Sequence, residues 1–320
     1  MRLRNRVGVL AIVSTLAVAT ARAAQQNHLT IEIAGQTREY ILVTPAAMPT
    51  GPRPLVLVLH GHLGTAANTL GAGMAPSPLS AWVAIADREK VWVAALQGLK
   101  GPDGHTGWRD CRSDDSGNPD SDDVGFAAGV VRTLLAQGRA DPKRLYVMGM
   151  SNGAMMSYRL ALEMSPAPVA IAAVSGLLAL HSDCAAPSHP VSVLLVQGTA
   201  DPLVPYAGGE VGFGHRKSSS VIGAEATRDF WLKADALSGA SPLSYSFQHL
   251  GADDTRAIRI SYGNDPGPQV ELLTIEHGGH VEPSLKYHYG RLYSHIVGEQ
   301  NRDLESAEEA WRFFAPKSAR

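Results

Sequence analysis

The sequence predicts an α/β fold in which helices cover both faces of a mostly parallel sheet. Short continuous apolar runs alternate along the chain with longer segments of helical periodicity. Three of these runs are residues 55–59, 169–174 and 191–196, and such runs are typical of strands that are buried on both sides. Strands that alternate with helices in this way form parallel sheets.

The predicted elements follow one another without a linker or a shift in composition, so we expect one domain over residues 24–320. An antiparallel hairpin around Gly35-Gln36 comes first. The predicted strands are residues 29–34, 38–44, 55–59, 91–96, 144–148, 169–174, 191–196, 245–249, 256–262 and 270–276. The predicted helices are residues 79–88, 122–137, 154–164, 224–236 and 304–314. Residues 208–220 are rich in Gly and Ser and are expected to form a mobile surface insertion.

Composition is that of an ordinary globular protein, with 45% hydrophobic residues, 18% charged residues and a formal net charge of −2. No cluster of Lys and Arg follows the first residues, so we expect neither a nucleic acid nor an anionic membrane as a partner. A small neutral substrate fits this charge better. We expect a monomer.

The first 23 residues have the pattern of a secretory signal peptide. Three arginines precede an apolar run, residues 7–20, which ends at Ala21-Arg22-Ala23. As a helix this run is about 21 Å long, which is short of the ~30 Å hydrocarbon core of a bilayer. We therefore expect cleavage after Ala23, no permanent membrane anchor, and a secreted or periplasmic protein.

Cys111 and Cys184 are the only two cysteines of the chain. Export to an oxidising compartment favours a disulfide between them. Two buried free thiols are the alternative, because a sequence does not show whether two Cα atoms lie within bridging distance.

A strand, a Gly-x-Ser-x-Gly motif and a helix follow one another around Ser151. The strand is residues 144–148, the motif is Gly149-Met150-Ser151-Asn152-Gly153, and the helix begins at Ala154. This order is the setting of a nucleophile elbow, in which a tight turn raises a serine hydroxyl above the end of a sheet. The two glycines are needed because larger side chains would strike the neighbouring strand and helix. The alternative is an ordinary turn with a capping serine.

A base and an orienting carboxylate follow later strand ends, in the order that α/β-hydrolases use. Asp201 comes after the strand at residues 191–196, and His280 comes after the strand at residues 270–276. In this interpretation Asp201 fixes the tautomer of His280, which takes the Ser151 proton and returns it to the leaving alcohol. The alternative for Asp201 is a turn-forming residue.

His277 competes with His280 for the role of the base. His277 lies at the strand end, where strand geometry constrains its direction. Gly278-Gly279 allows a sharp turn that carries the second imidazole over the sheet, so we favour His280.

An ester transition state also places negative charge on the carbonyl oxygen, which two backbone N–H groups usually bind. The Asn152 amide is one expected donor. The His62 amide is the other, because Gly61 lets the backbone bend after the strand at residues 55–59. His60 and His62 are alternatively a metal pair, but no further ligands lie at a recognised spacing, so no metal is expected.

Several motifs together resemble those of the secreted polyhydroxybutyrate depolymerase and feruloyl/acetylxylan esterase group, carbohydrate-esterase family one in the broad sense. The resemblance covers about residues 55–314. The motifs are Leu59-His60-Gly61, Asp122-Asp123-Val124-Gly125-Phe126, Gly149-Met150-Ser151-Asn152-Gly153, Gly198-Thr199-Ala200-Asp201, Val204-Pro205-Tyr206 and Gly278-Gly279-His280. The resemblance implies an α/β-hydrolase fold and an esterase that needs no cofactor. It also implies catalytic positions at Ser151, Asp201 and His280, and an oxyanion residue at His62.

The chain departs from this group at two places that bear on the substrate. Relatives often have Gly-Gly-Gly-His-x-Trp-Pro-Gly where this chain has His277-Gly278-Gly279-His280-Val281-Glu282-Pro283-Ser284, so the aromatic residue is missing. Many also have His-Gly-Cys-x-Gln in the oxyanion turn, where this chain has His62 and Gly64.

We expect short-acyl or aryl-acyl esters, or hydroxyalkanoate oligomers, as substrates. The expected pocket lies near His62, Trp108, Asn152, Val204 and Tyr206, because these residues flank the catalytic positions in sequence. The alternative for Trp108 is packing against its own loop.

Three other functional interpretations remain open at this stage. One is a peptidase or lactone hydrolase on the same fold, and another is a binding protein that has lost catalysis. A third is a catalytic acid pair at Asp122 and Asp123, as in glycosidases, although capping of the helix explains both carboxylates.

Overall fold

A computed structural model describes residues 23–47, 50–73, 77–213 and 216–319. The predicted signal peptide lies outside the described residues, except for Ala23. No helix within the described ranges is long and apolar enough to cross a membrane.

Fourteen strands and seven helices are assigned within these ranges. The strands are β1 (Gln25–Ile33), β2 (Gln36–Thr44), β3 (Arg53–Leu59), β4 (Trp92–Leu96), β5 (Leu99–Lys100), β6 (Thr106–Gly107), β7 (Ala140–Met150), β8 (Ala170–Val174), β9 (Ser192–Gly198), β10 (Gly208–Phe213), β11 (Arg216–Ile222), β12 (Leu243–Ser246), β13 (Arg256–Gly263) and β14 (Gln269–Glu276). The helices are α1 (Ala66–Thr69), α2 (Ala81–Glu89), α3 (Asp123–Ala136), α4 (Asn152–Glu163), α5 (Ala224–Ala234), α6 (Arg291–Val297) and α7 (Ser306–Phe314). A 3₁₀ turn, Pro78–Ser80, precedes α2.

The main sheet has ten strands in the order β1-β2-β4-β3-β7-β8-β9-β14-β13-β12. The six strands from β4 to β14 are parallel. The predicted hairpin of β1 and β2 adds antiparallel strands at one edge. β13 and β12 add two more antiparallel strands at the other edge, where strands were predicted at residues 256–262 and 245–249. Ser151, Asp201 and His280 follow β7, β9 and β14. Because these strands are parallel, all three residues lie at the end of the sheet where the strands finish.

The buried side chains form one layer on each face of the sheet. β3 shows how the two layers arise, because successive side chains of a strand point to opposite faces. Leu57 belongs to the layer that packs against α3, α4 and α5, whereas Val56 and Val58 belong to the layer that packs against α2 and α7. Helices therefore cover both faces of a mostly parallel sheet, and the predicted α/β-hydrolase architecture is confirmed.

The segment at residues 208–220 differs from its prediction. Its composition predicts a mobile surface insertion, but β10 and β11 form an antiparallel pair there. The Ile222 amide donates to Leu178 O and the Leu180 amide donates to Ser220 O, so β11 also pairs with the loop after β8. The Gly and Ser residues of this segment do not predict a strand, and one of the partners of β11, the loop after β8, is distant in the sequence. Helices α1 and α6, which are short, were not predicted.

Candidate active site

Ser151 occupies a tight turn between β7 and α4. Its φ of 56° and ψ of −122° are rare for a residue with a side chain. The Ser151 amide donates to Val174 O at 2.8 Å, and Ser151 O accepts from the Met155 amide at 3.0 Å. The strained backbone is thus fixed by the neighbouring strand on one side and by the helix on the other.

The glycines of the motif are required by close backbone approach. A Cβ on Gly149 would overlap the backbone of Gly153. A Cβ on Gly153 would in turn lie within 2.6 Å of the Leu59 and His60 carbonyl oxygens. The turn therefore fits only without side chains at these two positions, which is the geometry expected of a nucleophile elbow.

Ser151, His280 and Asp201 form one hydrogen-bonded chain. Ser151 Oγ lies 2.8 Å from His280 Nε2, and His280 Nδ1 lies 2.9 Å from Asp201 Oδ2. The imidazole and the carboxylate are both buried. In this arrangement His280 Nε2 can accept the Ser151 proton while Asp201 holds the other ring nitrogen protonated.

Asp201 is oriented by three further donors. Its Oδ1 accepts from the Leu203 amide at 2.9 Å and from the Val204 amide at 2.8 Å. Its Oδ2 accepts from Gln197 Nε2 at 3.0 Å, in addition to His280. This role of Gln197 was not predicted, although its position at the end of β9, four residues before Asp201, is a signal that indicates it.

The two histidines after β14 point in different directions. The His277 side chain is exposed, and its Nδ1 lies 3.1 Å from Asp254 O. After the turn at Gly278 and Gly279, the His280 amide donates to Val297 O. A Cβ on Gly279 would overlap Val297 O. The segment that carries His280 therefore packs directly against the end of α6, and the structure brings His280 but not His277 to Ser151.

The predicted oxyanion turn lies beside Ser151. The Gly64 amide donates to Gly61 O at 2.9 Å, which closes a four-residue turn. A Cβ on Gly61 would lie 3.3 Å from Ser151 Cβ, so the turn contacts the serine directly. His62 is the second residue of this turn. Asn152 is the first residue of α4, where a backbone N–H has no partner within the helix.

His60 is a structural histidine. Its Nε2 accepts from the Gly98 amide at 2.9 Å, and its Nδ1 donates to Gly61 O at 2.8 Å. Burial lowers its pKa to about 4, so the ring is neutral. Both nitrogens of His60 are thus occupied by backbone groups, while His62 Nε2 lies 2.9 Å from Asp103 Oδ2. Within the described residues, no group of three or more His, Cys, Asp or Glu residues could hold a metal ion.

Trp108 and Val204 were predicted to contact the substrate. They do not line an open pocket, because each residue is only 1% exposed. The Trp108 indole N–H donates to His60 O at 2.8 Å, so the ring is hydrogen-bonded to the residue that precedes the oxyanion turn. Val204 contributes its amide to Asp201. Tyr206 is partly exposed and its hydroxyl lies 3.1 Å from Thr274 Oγ1, and its contact with substrate stays a prediction.

The Asn152 side chain joins the elbow to the long loop before α3. Asn152 Oδ1 accepts from the Trp108 amide at 2.7 Å, and Asn152 Nδ2 donates to Trp108 O at 3.1 Å and to Asp110 Oδ2 at 2.7 Å. Asp110 also forms a buried ion pair with Arg112 at 2.6 Å, and Arg112 contacts Asp115 at 2.6 Å. The loop is therefore organised by buried charges that the sequence analysis did not pair.

A disulfide between Cys111 and Cys184 is present, as predicted, with the two Cα atoms 5.2 Å apart. It joins the Trp108 loop to the loop after β8. Hydrogen bonds continue this contact, because the Asp183 amide donates to Cys111 O and the Ser113 amide donates to His181 O.

Asp122 and Asp123 have different roles. The prediction that both cap α3 is confirmed for Asp122 and is wrong for Asp123. Asp122 Oδ1 accepts from the Gly125 amide at 2.7 Å, as a capping residue does. Asp123 instead pairs with Arg38 at 2.7 Å, and both side chains are buried. Burial raises the pKa of Asp123, and Arg38 opposes that rise.

Comparison with known proteins agrees with this geometry. The model of the family "Esterase PHB depolymerase" matches residues 38–204. NocK of Nocardia uniformis subsp. tsuyamanensis, which is named as an esterase, is 31% identical over 301 residues, covering 88% of this chain and 80% of NocK. Feruloyl esterase B of Piromyces equi is 26% identical over 253 residues, covering 77% of this chain and 43% of that protein.

Among solved structures, the crystal structure of a thermostable esterase has a TM-score of 0.50 and 15% sequence identity, and the match covers 92% of this chain and 63% of that one. At this identity the likeness shows the fold alone. The family match spans the elbow, the oxyanion turn and Asp201. The chain therefore belongs to the PHB depolymerase esterase family and is a carboxylic ester hydrolase.

Proposed function

We propose that this protein is a serine esterase that cleaves its substrate through an acyl-enzyme on Ser151. The observation that carries the proposal is the chain of hydrogen bonds from Ser151 Oγ through His280 to Asp201, at 2.8 and 2.9 Å. A serine hydroxyl is a weak nucleophile at neutral pH, and a base at this distance makes it reactive.

The first half-reaction forms the ester between Ser151 and the acyl group. Ser151 Oγ attacks the carbonyl carbon while its proton moves to His280 Nε2, and Asp201 stabilises the resulting imidazolium. The negative charge on the carbonyl oxygen is stabilised by the His62 and Asn152 amides. When the tetrahedral intermediate breaks down, the bond to the alcohol oxygen breaks and His280 gives its proton to that oxygen.

The second half-reaction releases the acid. A water molecule replaces the alcohol, gives a proton to His280 Nε2 and attacks the acyl carbon. Breakdown of the second intermediate breaks the bond to Ser151 Oγ, which recovers its proton from His280.

The proposed substrates are short-acyl or aryl-acyl esters or hydroxyalkanoate oligomers. Family membership supports this class, and the relative from Piromyces equi is named as a feruloyl esterase. Leu63, which is 63% exposed, offers an apolar surface in the oxyanion turn. The Trp108 ring is buried, so it supports the site and does not contact the acyl group.

We also propose that the protein is exported. Residues 1–23 have the pattern of a signal peptide, and the Cys111–Cys184 disulfide suits an oxidising compartment.

An ester panel on purified protein tests the proposal. Butyrate, octanoate and palmitate esters, methyl ferulate, acetylated xylan, hydroxybutyrate oligomers and a matched anilide are assayed with wild type, Ser151→Ala and Ser157→Ala. Ser157 is the matched control, because it is a buried serine of the same helix whose hydroxyl donates to Gly153 O. We expect Ser151→Ala to lower kcat by about 10⁴- to 10⁶-fold and Ser157→Ala to stay within a few fold of wild type.

Three outcomes would contradict the proposal. Hydrolysis that persists in Ser151→Ala would rule out an acyl-enzyme on Ser151. Preference for palmitate would defeat the short-acyl substrate class, and faster cleavage of the anilide than of the matched ester would favour a peptidase.

A further inference from the structure

The two proposed oxyanion donors lie on separate elements of the fold. His62 belongs to the turn after β3, whereas Asn152 is the first residue of α4. An oxyanion is stabilised well only when both N–H groups lie about 2.7–3.1 Å from its position. The placement of the turn relative to the helix therefore decides how well the site can stabilise a tetrahedral intermediate.

Trp108 connects these two elements by hydrogen bonds. Its indole N–H donates to His60 O at 2.8 Å, directly before the turn that contains His62. Its backbone amide donates to Asn152 Oδ1 at 2.7 Å, and its carbonyl oxygen accepts from Asn152 Nδ2 at 3.1 Å. The Asn152 side chain, which is 3% exposed, thus links α4 to the oxyanion turn.

Asp110 fixes the orientation of the Asn152 side chain. Asp110 Oδ2 accepts from Asn152 Nδ2 at 2.7 Å, which is the shortest of the hydrogen bonds that Nδ2 makes. Hydrogen bonds to a carboxylate are about twice as strong as those between neutral groups. Because a carboxylate only accepts hydrogen bonds, Nδ2 must face Asp110, and Oδ1 then faces the Trp108 amide.

The Asp110 carboxylate is itself held by Arg112. Arg112 Nε donates to Asp110 Oδ1 at 3.0 Å, and Arg112 Nη2 donates to Asp110 Oδ2 at 2.6 Å. The Arg112 amide adds a third bond to Oδ1 at 2.9 Å. Cys111 lies between these two residues and is joined to Cys184. The buried carboxylate is therefore fixed by the guanidinium, and the backbone that carries it is fixed by the disulfide.

We propose that Asp110 is a positioning residue for the oxyanion hole, which acts through the Asn152 side chain to set the place of the Asn152 amide relative to the His62 amide. The inference rests on the proposed function. Ser151 has a rare backbone conformation, and such conformations persist only where neighbouring contacts fix them. A shift of about 1 Å at a catalytic group can lower a rate about 10²-fold, so a small displacement of Asn152 is enough to affect catalysis.

The first test compares Asp110→Asn with Asp115→Asn in the hydrolysis of 4-nitrophenyl butyrate. Asp115 is the matched control, because it is a buried carboxylate that pairs with Arg112 Nη1 at 2.6 Å, while its other oxygen accepts from the Gly117 amide. In Asp110→Asn the new amide group presents a donor either to Asn152 Nδ2 or to Arg112. We expect Asp110→Asn to lower kcat and kcat/KM equally, by about 10- to 100-fold, because oxyanion donors act in the transition state.

Asp115→Asn should stay within a few fold of wild type. All variants are assayed below their unfolding temperatures, so that a loss of stability does not enter the rates. An equal loss of kcat in the two variants, or an unchanged kcat in Asp110→Asn, would overturn the proposal. A higher KM at constant kcat would also count against it, because that result indicates lost binding of the ground state.

The second test asks whether Asp110 acts through Asn152. Asn152→Ala removes the side chain and keeps the backbone amide. This variant should lose kcat by a similar factor, and the double variant with Asp110→Asn should lose little more. Effects that multiply in the double variant would contradict the proposal. If Asp110→Asn does not fold, an unchanged kcat in Asn152→Ala alone would still overturn it.

The third test measures the placement directly and does not depend on hydrolysis. Crystal structures of wild type, Asp110→Asn and Asp115→Asn give the distance between the His62 and Asn152 backbone nitrogens. We expect this distance to change by about 0.5 Å or more in Asp110→Asn and to stay the same in Asp115→Asn, because catalytic geometry is sensitive on that scale. An unchanged distance in Asp110→Asn would overturn the proposal. If wild type hydrolyses no ester, the proposed function fails, while this distance still decides the role of Asp110.

Discussion

The two sides of Ser151 are built in different ways. On the oxyanion side, His60, Trp108 and Asn152 form a dense set of hydrogen bonds that connect β3, the Trp108 loop and α4. On the histidine side, His280 is held by backbone contacts with the end of α6, whose Leu292 and Ile296 side chains are exposed.

Because of this difference, we expect substitutions on the two sides to affect stability and catalysis to different extents. Buried and fully paired groups destabilise a protein strongly when one partner is removed. We therefore expect substitutions on the oxyanion side to lower the free energy of unfolding. Substitutions on the histidine side should change activity with a smaller effect on folding.

The largest expected effect concerns the two histidines after β14. His280→Ala should lower kcat by about 10⁴-fold, because Ser151 loses its base, whereas His277→Ala should retain activity because its ring is exposed and bonded to Asp254 O. Steady-state kinetics on one ester, with thermal unfolding of both variants, measures the effect. An inactive His277→Ala beside an active His280→Ala would reverse the assignment.

The second prediction tests the disulfide that braces the oxyanion side. Replacing Cys111 and Cys184 by alanine frees a segment of 73 residues in the unfolded chain. The chain-entropy model gives a loss of about 4 kcal/mol in the free energy of unfolding. Urea unfolding of the double variant measures the loss, and wild type with reductant is the control. A double variant that unfolds at the wild-type urea concentration would show that the bond does not brace this side.

The third prediction concerns the pH dependence that His60 gives to stability. Burial lowers its pKa from 6.5 to about 4, so between these values the unfolded chain binds a proton that the folded chain does not. Stability should therefore fall as the pH falls through this window, by about 3 kcal/mol from this group. His60→Gln should have a flatter profile between pH 6.5 and 4 in urea unfolding, whatever its absolute stability.

His277→Gln is the matched control for this profile. It removes an exposed histidine, and its slope between pH 6.5 and 4 should match that of wild type. If His60→Gln keeps the wild-type slope, another group is responsible for the loss of stability in acid.

The three proposed catalytic positions could be found from the sequence because their signals are local. Ser151, Asp201 and His280 each follow a strand, and glycines allow the turns at Ser151 and His280. The order of the three along the chain adds a constraint that a single motif lacks. Because the strands are parallel, the three side chains then lie at the same end of the sheet.

Other features depend on distant partners and could not be predicted in the same way. Asp123 pairs with Arg38, 85 residues earlier in the chain, so it resembles a capping residue when only its neighbours are considered. Trp108 is an aromatic residue of the kind that often lines a pocket, but its indole N–H donates to His60 O. Glu282 has no local pattern at all, and its burial is visible only when Ser77 and Tyr289 are placed around it.

Labelling with a fluorophosphonate tests the central claim most directly, because this probe forms a covalent bond with an activated serine. Intact mass and peptide mapping should show one adduct on Ser151 in wild type, no adduct in Ser151→Ala, and much slower labelling in His280→Ala. An adduct on another residue, or labelling that persists in Ser151→Ala, would contradict the assignment of Ser151 as the nucleophile.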